Sequence, residues 1–126
     1  MAERLEDFIQ YKCAEHLRSK GILFFHVPNG AKRLDGARLK AMGLLPGVHD
    51  LVLVLPPVVW IELKIKDGKV RPQQTWFHTE VTKRGFHSYL IQTDDWEFAV
   101  AELDRILALY NPVLLDVPGK HKTESV

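Results

Sequence analysis

Apolar residues recur at helical spacing near both ends of the chain, which predicts two amphipathic helices. The first covers residues 4–20 and ends before Gly21. The last covers about 94–109, with Asp94 and Glu97 as its capping box. Their apolar stripes consist of Leu5, Phe8, Ile9, Cys13, Ala14 and Leu17 in the first helix and of Trp96, Ala99, Val100, Leu103, Ile106, Leu107 and Tyr110 in the last. Each helix therefore has one face suited to burial.

Short apolar runs between these helices predict four strands. Residues 22–27 and 86–91 form the first and the last of them. The run over residues 51–55 is apolar on both alternating faces, which is typical of a central, buried strand, and Pro56-Pro57 ends it. Because the connection is short, we expect residues 58–65 to return antiparallel to this strand.

The return strand separates two sets of side chains by alternation. Val59, Ile61, Leu63 and Ile65 share one face, and Trp60, Glu62 and Lys64 share the other. A further helix is predicted over 72–84, because Pro72 suits its first turn and Gly85 suits its end. Residues 31–43 predict a short helix or an ordered loop, after a turn at Pro28-Asn29-Gly30. The order α-β-(α)-β-β-α-β-α predicts an α/β fold in which helices flank a mixed central sheet.

The composition is that of an ordinary soluble protein. Its 126 residues favour one domain, which we place at residues 1–116, followed by a flexible tail at 117–126. The single cysteine, Cys13, and the absence of a signal peptide or a long apolar run favour a reducing cytoplasm. A net charge of +1 does not itself indicate a nucleic-acid partner, so any polyanion must be bound by local basic clusters.

An acidic pair and a lysine form the central candidate site. Asp50 begins the buried strand, and Glu62 and Lys64 project from one face of the next strand. If these strands form a hairpin, the two carboxylates converge and repel each other unless a cation lies between them. Mg²⁺ suits such a site, because it prefers oxygen ligands and often uses one or two protein carboxylates, and the carbonyl of Leu63 can add a ligand.

In this interpretation Lys64 lies beside the metal. It would orient or help deprotonate the attacking water, or stabilise charge on the scissile phosphate. The alternative is an exposed Glu/Lys pair, which residues i and i+2 of a strand often form and which contributes little. The upstream Asp50, the buried strand and the helix that follows favour the catalytic interpretation.

Three motifs of the chain resemble a known family. They are Gly47-Val48-His49-Asp50-Leu51, Trp60-Ile61-Glu62-Leu63-Lys64 and Gly68-Lys69-Val70-Arg71-Pro72-Gln73-Gln74. In their combined spacing they resemble the VRR-NUC branch of the PD-(D/E)XK nucleases. The similarity extends over about residues 4–92 and includes residues 6–10 and 28–30. It implies a restriction-endonuclease-like core and a deoxyribonuclease that depends on Mg²⁺, with Mn²⁺ able to substitute.

The resemblance also implies residue roles. Asp50 and Glu62 match the metal-binding acids, and Lys64 matches the catalytic lysine. Gln74 matches a glutamine that points into the site from the following helix, and Glu6 matches an acid that completes the metal shell, often through water. An exposed side chain is the alternative for Gln74, and a solvated stripe is the alternative for Glu6.

Other residues near these motifs have weaker signals. His49 stands where the family commonly has proline, and we expect it to face solvent rather than to contact phosphate. Gln10 lies one helical turn from Glu6, and we expect it to be solvated. Candidates for contacts to a phosphate backbone are Asn29, Lys32, Arg33, Arg38 and Lys40 before the acidic strands and Lys66, Lys69 and Arg71 after them. A solvated basic surface is the alternative for these residues.

The resulting hypothesis is a structure-selective DNA endonuclease. The resemblance implies branched substrates, such as flaps or four-way (Holliday) junctions, and a homodimer. We expect a cytoplasmic protein that is encoded by a bacterium or a phage. The alternatives are a non-catalytic DNA-binding module with the same fold, and a nuclease subunit that needs a helicase or another replication or repair protein as its partner.

Overall fold

The computed structural model describes residues 2–27 and 36–110. Its elements are α1 (Ala2–Ser19), β1 (Phe24–His26), α2 (Gly36–Ala41), β2 (Leu51–Leu53), β3 (Val59–Lys64), α3 (Pro72–Lys83), β4 (His87–Gln92) and α4 (Trp96–Tyr110). This order confirms the predicted one, and α2 is the short helix expected within residues 31–43. The predicted turn at 28–30 and the predicted tail at 117–126 lie outside the described residues.

The strands form one mixed sheet in the order β1-β2-β3-β4. The first three strands are antiparallel to their neighbours, and β3 and β4 run parallel, with α3 as the crossover. The predicted hairpin is therefore present, and β2 and β3 are the interior strands. Leu51, the first residue of β2, pairs with Ile61, so the same register places Asp50, one position before β2, opposite Glu62.

The main core lies between one face of the sheet and the helices α1 and α4. Its buried members are Ile9, Cys13, Leu17 and Ile22, then Leu51, Leu53, Leu55, Val59, Ile61, Leu63 and Ile91, then Ala99, Leu103, Ile106 and Leu107. Alternation explains this set, because Val59, Ile61 and Leu63 all point to the same side of β3. None of the helices among residues 2–27 and 36–110 is both long and apolar enough to span a membrane.

The opposite face of the sheet is covered by α3. There the Phe77 ring meets Trp60 edge-on, with ring centroids 5.3 Å apart, and Val52 and Val81 are buried. This smaller apolar layer fixes α3 over the strand that carries the acidic residues. The alternation of β3 thus places the core on one side and Glu62 and Lys64 on the side facing α3.

Three local predictions are wrong. Asp95 rather than Asp94 caps α4, because its Oδ1 accepts the backbone N–H of Glu97 at 2.9 Å, whereas Asp94 accepts the N–H of Lys66. Phe8 has apolar helical spacing but is 46% exposed. The regular part of β2 ends at Leu53 instead of residue 55.

Candidate active site

Asp50 and Glu62 face each other across the β2–β3 hairpin. Asp50 is the last residue before β2, and its Oδ2 accepts the backbone N–H of Leu63 at 2.9 Å. This bond fixes the carboxylate against β3, beside the side chain of its cross-strand partner Glu62. Within a strand, the N–H and C=O of one residue point to the same neighbouring strand. The carbonyl of Leu63 therefore points to the edge of β3 where Asp50 lies.

Glu62 is only 3% exposed, and the helix α3 holds one of its oxygens. Gln74 donates its Nε2–H to Glu62 Oε2 at 2.6 Å. The same amide uses its Oε1 to accept the backbone N–H of Arg71 at 2.8 Å, which fixes the side chain at the start of α3. The other oxygen, Glu62 Oε1, is buried without a hydrogen-bond partner. A carboxylate placed in this way lacks the compensation that burial normally requires.

The charges of the site act on one another. Burial, followed by the nearby Asp50 carboxylate, raises the pKa of Glu62 to about 8, although Lys64 acts to lower it. Burial also raises the pKa of Asp50, while the N–H of Leu63 lowers it. Lys64 lowers the pKa of both acids, so its ammonium group lies within electrostatic reach of the whole cluster. A cation between the two acids would stabilise their ionised forms.

Glu6 approaches the cluster from α1. It is half-buried, and burial followed by the Asp50 carboxylate raises its pKa, whereas Lys64 lowers it. The structure thus places Glu6 within electrostatic reach of Asp50 and Lys64. Gln10, one turn further along α1, is 2.8 Å from His26 through its Nε2, so it has a local partner rather than only solvent.

His49 contradicts its predicted position in solvent. It is 2% exposed, its Nε2 lies 2.6 Å from Ser88 Oγ, and its ring meets the Phe77 ring edge-on. Burial lowers the pKa of His49 to about 4, and neighbouring His78 contributes to the shift. Its Nδ1 is 3.5 Å from Glu62 Oε1. The sequence held no signal for this contact, because His49 precedes β2 and the alternation of the strand does not apply to it.

The acidic cluster opens into a groove of about 1300 Å³. Its lining includes Glu6, Asp50, Glu62, Lys64 and Gln74, together with basic residues Arg18, Lys40 and Arg71. Among the predicted phosphate-binding residues, Arg38, Lys40, Lys66, Lys69 and Arg71 are all exposed. Lys69 and Arg71 line a smaller pocket that also contains Glu6 and Lys64. Asn29, Lys32 and Arg33 lie outside the described residues.

The donor set fits a hard divalent cation with a small protein shell. Among residues 2–27 and 36–110, no three His, Cys, Asp or Glu side chains are arranged to hold a metal ion by themselves. Mg²⁺ does not need such a set, since it commonly keeps several waters and uses one or two carboxylates. The unpartnered Oε1 of Glu62 and the raised pKa values of both acids are the features that a cation would relieve.

No family sequence profile matches the chain, and no curated protein matches it in sequence. Solved structures do match its fold. One, described as a VRR_NUC domain protein, superimposes with a TM-score of 0.63 over 82% of this chain and 88% of its own, at 17% sequence identity. Another, described as a VRR_NUC domain, gives a TM-score of 0.55 over 84% of this chain and 97% of its own, at 19% identity. The chain therefore has the fold of VRR-NUC domains, as its motifs predicted.

Proposed function

We propose that this chain, with its VRR-NUC fold, is a metal-dependent nuclease that hydrolyses phosphodiester bonds in DNA. The observation that carries the proposal is the convergence of Asp50 and Glu62 beside Lys64, in a groove whose lining also includes Arg18, Lys40 and Arg71. A buried acid whose pKa is raised to about 8 destabilises the fold at neutral pH. Strongly shifted groups in a cleft are typical of functional sites.

Asp50, Glu62 and the carbonyl of Leu63 would hold the metal, and Glu6 would contact it through water. We propose Mg²⁺ as the natural ion, with Mn²⁺ as a substitute, because all the donors are oxygens. When bound, the ion supplies Lewis acidity to the phosphoryl oxygen and to the attacking water. The chain itself presents the two acids in a fixed geometry, because Leu63 holds Asp50 and Gln74 holds Glu62.

Besides the metal ion, Lys64 supplies positive charge beside the two acids. It lies two positions beyond Glu62 on the same face of β3 and lines the groove. From there its ammonium group can donate hydrogen bonds to the attacking water or to an oxygen of the scissile phosphate. Lys40 and Arg71 on the groove wall would bind neighbouring phosphates and so hold the strand in register with the acids.

For the substrate we propose branched DNA, such as flaps or four-way junctions, cut by a homodimer with one site on each strand. The support for this finer statement is the family resemblance, together with an open groove that has basic residues on its wall. Size-exclusion chromatography with light scattering measures the oligomer directly. A monomer that cuts only unbranched duplex would contradict the proposal on substrate and leave the proposal on chemistry intact.

The test of the chemistry is a cleavage panel with Mg²⁺ or Mn²⁺ on single strands, duplex, flaps, forks and four-way junctions. Glu62→Gln and Lys64→Ala should each abolish cleavage while the far-UV spectrum stays that of the wild type. Lys83→Ala, which removes an exposed charge outside the groove, should cleave like the wild type. DNA binding without cleavage by the wild-type protein would favour the non-catalytic module. Cleavage that requires an added helicase would favour the partner-dependent subunit.

A further inference from the structure

A chain of polar side chains runs from the surface to the buried end of Glu62. Exposed His78 on α3 lies 2.6 Å from Ser88 Oγ through its Nδ1. The same hydroxyl lies 2.6 Å from His49 Nε2. On the far side of the His49 ring, Nδ1 is 3.5 Å from Glu62 Oε1. Four elements of the fold, α3, β4, the loop before β2 and β3, thus contribute to one line of donors and acceptors.

The two facing atoms at its inner end are unpartnered. His49 Nδ1 and Glu62 Oε1 are both buried without a hydrogen bond, although they face each other at 3.5 Å. A movement of about half an ångström would bring them to ordinary hydrogen-bond distance. Leaving both unpaired costs free energy, so a hydrogen bond between them would stabilise this arrangement.

The direction of the line follows from the chemistry of a neutral imidazole, which has one N–H donor and one acceptor nitrogen. An ionised Glu62 can only accept, so His49 Nδ1 must carry the proton that faces it. His49 Nε2 must then accept the hydroxyl proton of Ser88, and Ser88 Oγ must accept the N–H of His78. With Glu62 ionised, this is the arrangement that gives each hydrogen bond of the line one donor and one acceptor.

We propose that His49 is a positioning residue for Glu62, which holds Oε1 through Nδ1–H while Gln74 holds Oε2, and that Ser88 selects the His49 tautomer that can do so. The inference rests on the proposed metal-dependent function, because it concerns how Glu62 is presented to the ion. Outer groups of this kind commonly orient ligating side chains and change metal affinity tenfold to a hundredfold. Phe77 fixes the ring by packing on it edge-on.

The test compares two amides that each replace half of the imidazole. In His49→Asn the amide NH₂ occupies about the position of Nδ1, so the donor to Glu62 is retained. In His49→Gln the amide reaches about the position of Nε2, so the contact to Ser88 is retained and the donor to Glu62 is lost. We expect Mn²⁺ affinity and Mg²⁺-dependent cleavage to stay within a few-fold of wild type for Asn and to fall about tenfold to a hundredfold for Gln.

If His49 only filled space in the core, the glutamine variant should keep more Mn²⁺ affinity than the asparagine variant. Glutamine is closer to histidine in volume than asparagine, so it leaves the smaller cavity and should disturb a packing role less. Titration calorimetry with Mn²⁺ measures the affinity, and thermal unfolding of both variants reports any packing loss separately. If the glutamine variant equals or exceeds the asparagine variant in Mn²⁺ affinity, His49 does not position Glu62.

A second measurement needs no substitution at His49. In the Mg²⁺-saturated protein, the ¹⁵N spectrum should show His49 protonated at Nδ1 and not at Nε2. Ser88→Ala should return the His49 ring to a mixture of tautomers and weaken Mn²⁺ binding by a smaller factor than His49→Gln does. Protonation at Nε2 in the wild type, or direct coupling of a His49 nitrogen to bound Mn²⁺, would overturn the proposal. Wild-type protein that neither binds Mn²⁺ nor cleaves DNA would overturn the proposed function and this inference together. If the wild type is active but the glutamine variant binds Mn²⁺ more tightly than the asparagine variant, only this inference is overturned.

Discussion

Gly47 lies so close to Gln73 that a Cβ on the glycine would come within 2.3 Å of the Gln73 carbonyl oxygen. Gly47 also has a φ of +93°, a conformation that other residues rarely adopt. The loop that carries His49 and Asp50 is therefore pressed against the first turn of α3, next to Gln74. This close approach sets how far the hairpin acid lies from the helix that holds Glu62.

We expect Gly47→Ala to lower both stability and cleavage, because the loop must move away from α3 to relieve the contact. Gly43→Ala is the matched control, since Gly43 has a φ of +115° but nothing lies within 4 Å of its added Cβ. The free energy of unfolding should fall by about 1 kcal/mol in the control, from backbone strain alone, and by more in Gly47→Ala. Chemical denaturation measures both, and equal losses would show that the contact with Gln73 is unimportant.

The sequence predicted the fold well because its strongest signals come from burial. Alternation along residues 59–65 separated the core face from the acidic face, and helical spacing located the apolar faces of α1 and α4. A short, proline-containing connection predicted the antiparallel hairpin. These features follow from the spacing of apolar residues and from the restricted backbone of proline within a single segment, so one sequence is sufficient to find them.

The contacts between segments were less predictable. Asp50 and Glu62 could be paired in advance because one hairpin relates them, and Gln74 came from the family resemblance. The bond between His49 and Ser88 joins residues 39 positions apart through a loop with no periodicity. Similarly, Asp94 looked like a helix cap, but tertiary structure uses it to hold the backbone of Lys66. Local preference cannot anticipate such competition for a polar group.

The amide of Gln74 provides a prediction in which two functions can be separated. Gln74→Ala should lose the cap on the Arg71 N–H, at a cost of about 1 kcal/mol, and also the support of Glu62, with cleavage falling about tenfold to a hundredfold. Gln74→Glu keeps an oxygen for the cap but places a second carboxylate against Glu62 Oε2. In the presence of Mg²⁺, this variant should therefore cleave DNA more slowly than the wild type, while its free energy of unfolding should change less than that of Gln74→Ala.

Thr75→Ala is the control for the Gln74 variants, because Thr75 is exposed on the same turn of α3 and does not line the groove. Cleavage rates and denaturation midpoints should be measured together. If Gln74→Glu cleaves as well as the wild type, the hydrogen bond to Glu62 has no part in catalysis.

The raised pKa of Glu62 predicts an unusual pH dependence of stability. The pKa is about 8 in the folded protein against an ordinary value of 4.5, so between these values the folded chain retains a proton that the unfolded chain releases. The free energy of unfolding therefore falls as the pH rises from about 4.5 to about 8. One pKa unit corresponds to about 1.4 kcal/mol, so the loss across the whole range is on the order of 5 kcal/mol.

Glu62→Gln isolates this contribution, since it removes the titrating group and leaves the others in place. Relative to wild type, the variant should become more stable as the pH increases across the same range, measured by urea denaturation without metal. Mg²⁺ should stabilise the wild type most at the upper end of the range and should have little effect on the variant. A difference between the two proteins that does not change with pH would contradict the raised pKa.

Lys40 provides the test of the groove as the DNA-binding surface. It is exposed on α2 and lines the groove that contains the acids, whereas Lys83 is exposed at the end of α3 and does not line it. A lysine that contacts a phosphate releases a counterion on binding, so Lys40→Ala should weaken binding and reduce the slope of log K against log salt by about 1. Lys83→Ala should leave the slope unchanged. Fluorescence anisotropy with a labelled junction in Ca²⁺, across a series of salt concentrations, measures both slopes. If the two variants change the slope equally, phosphate contacts are spread over the surface and the groove does not direct the DNA to Asp50 and Glu62.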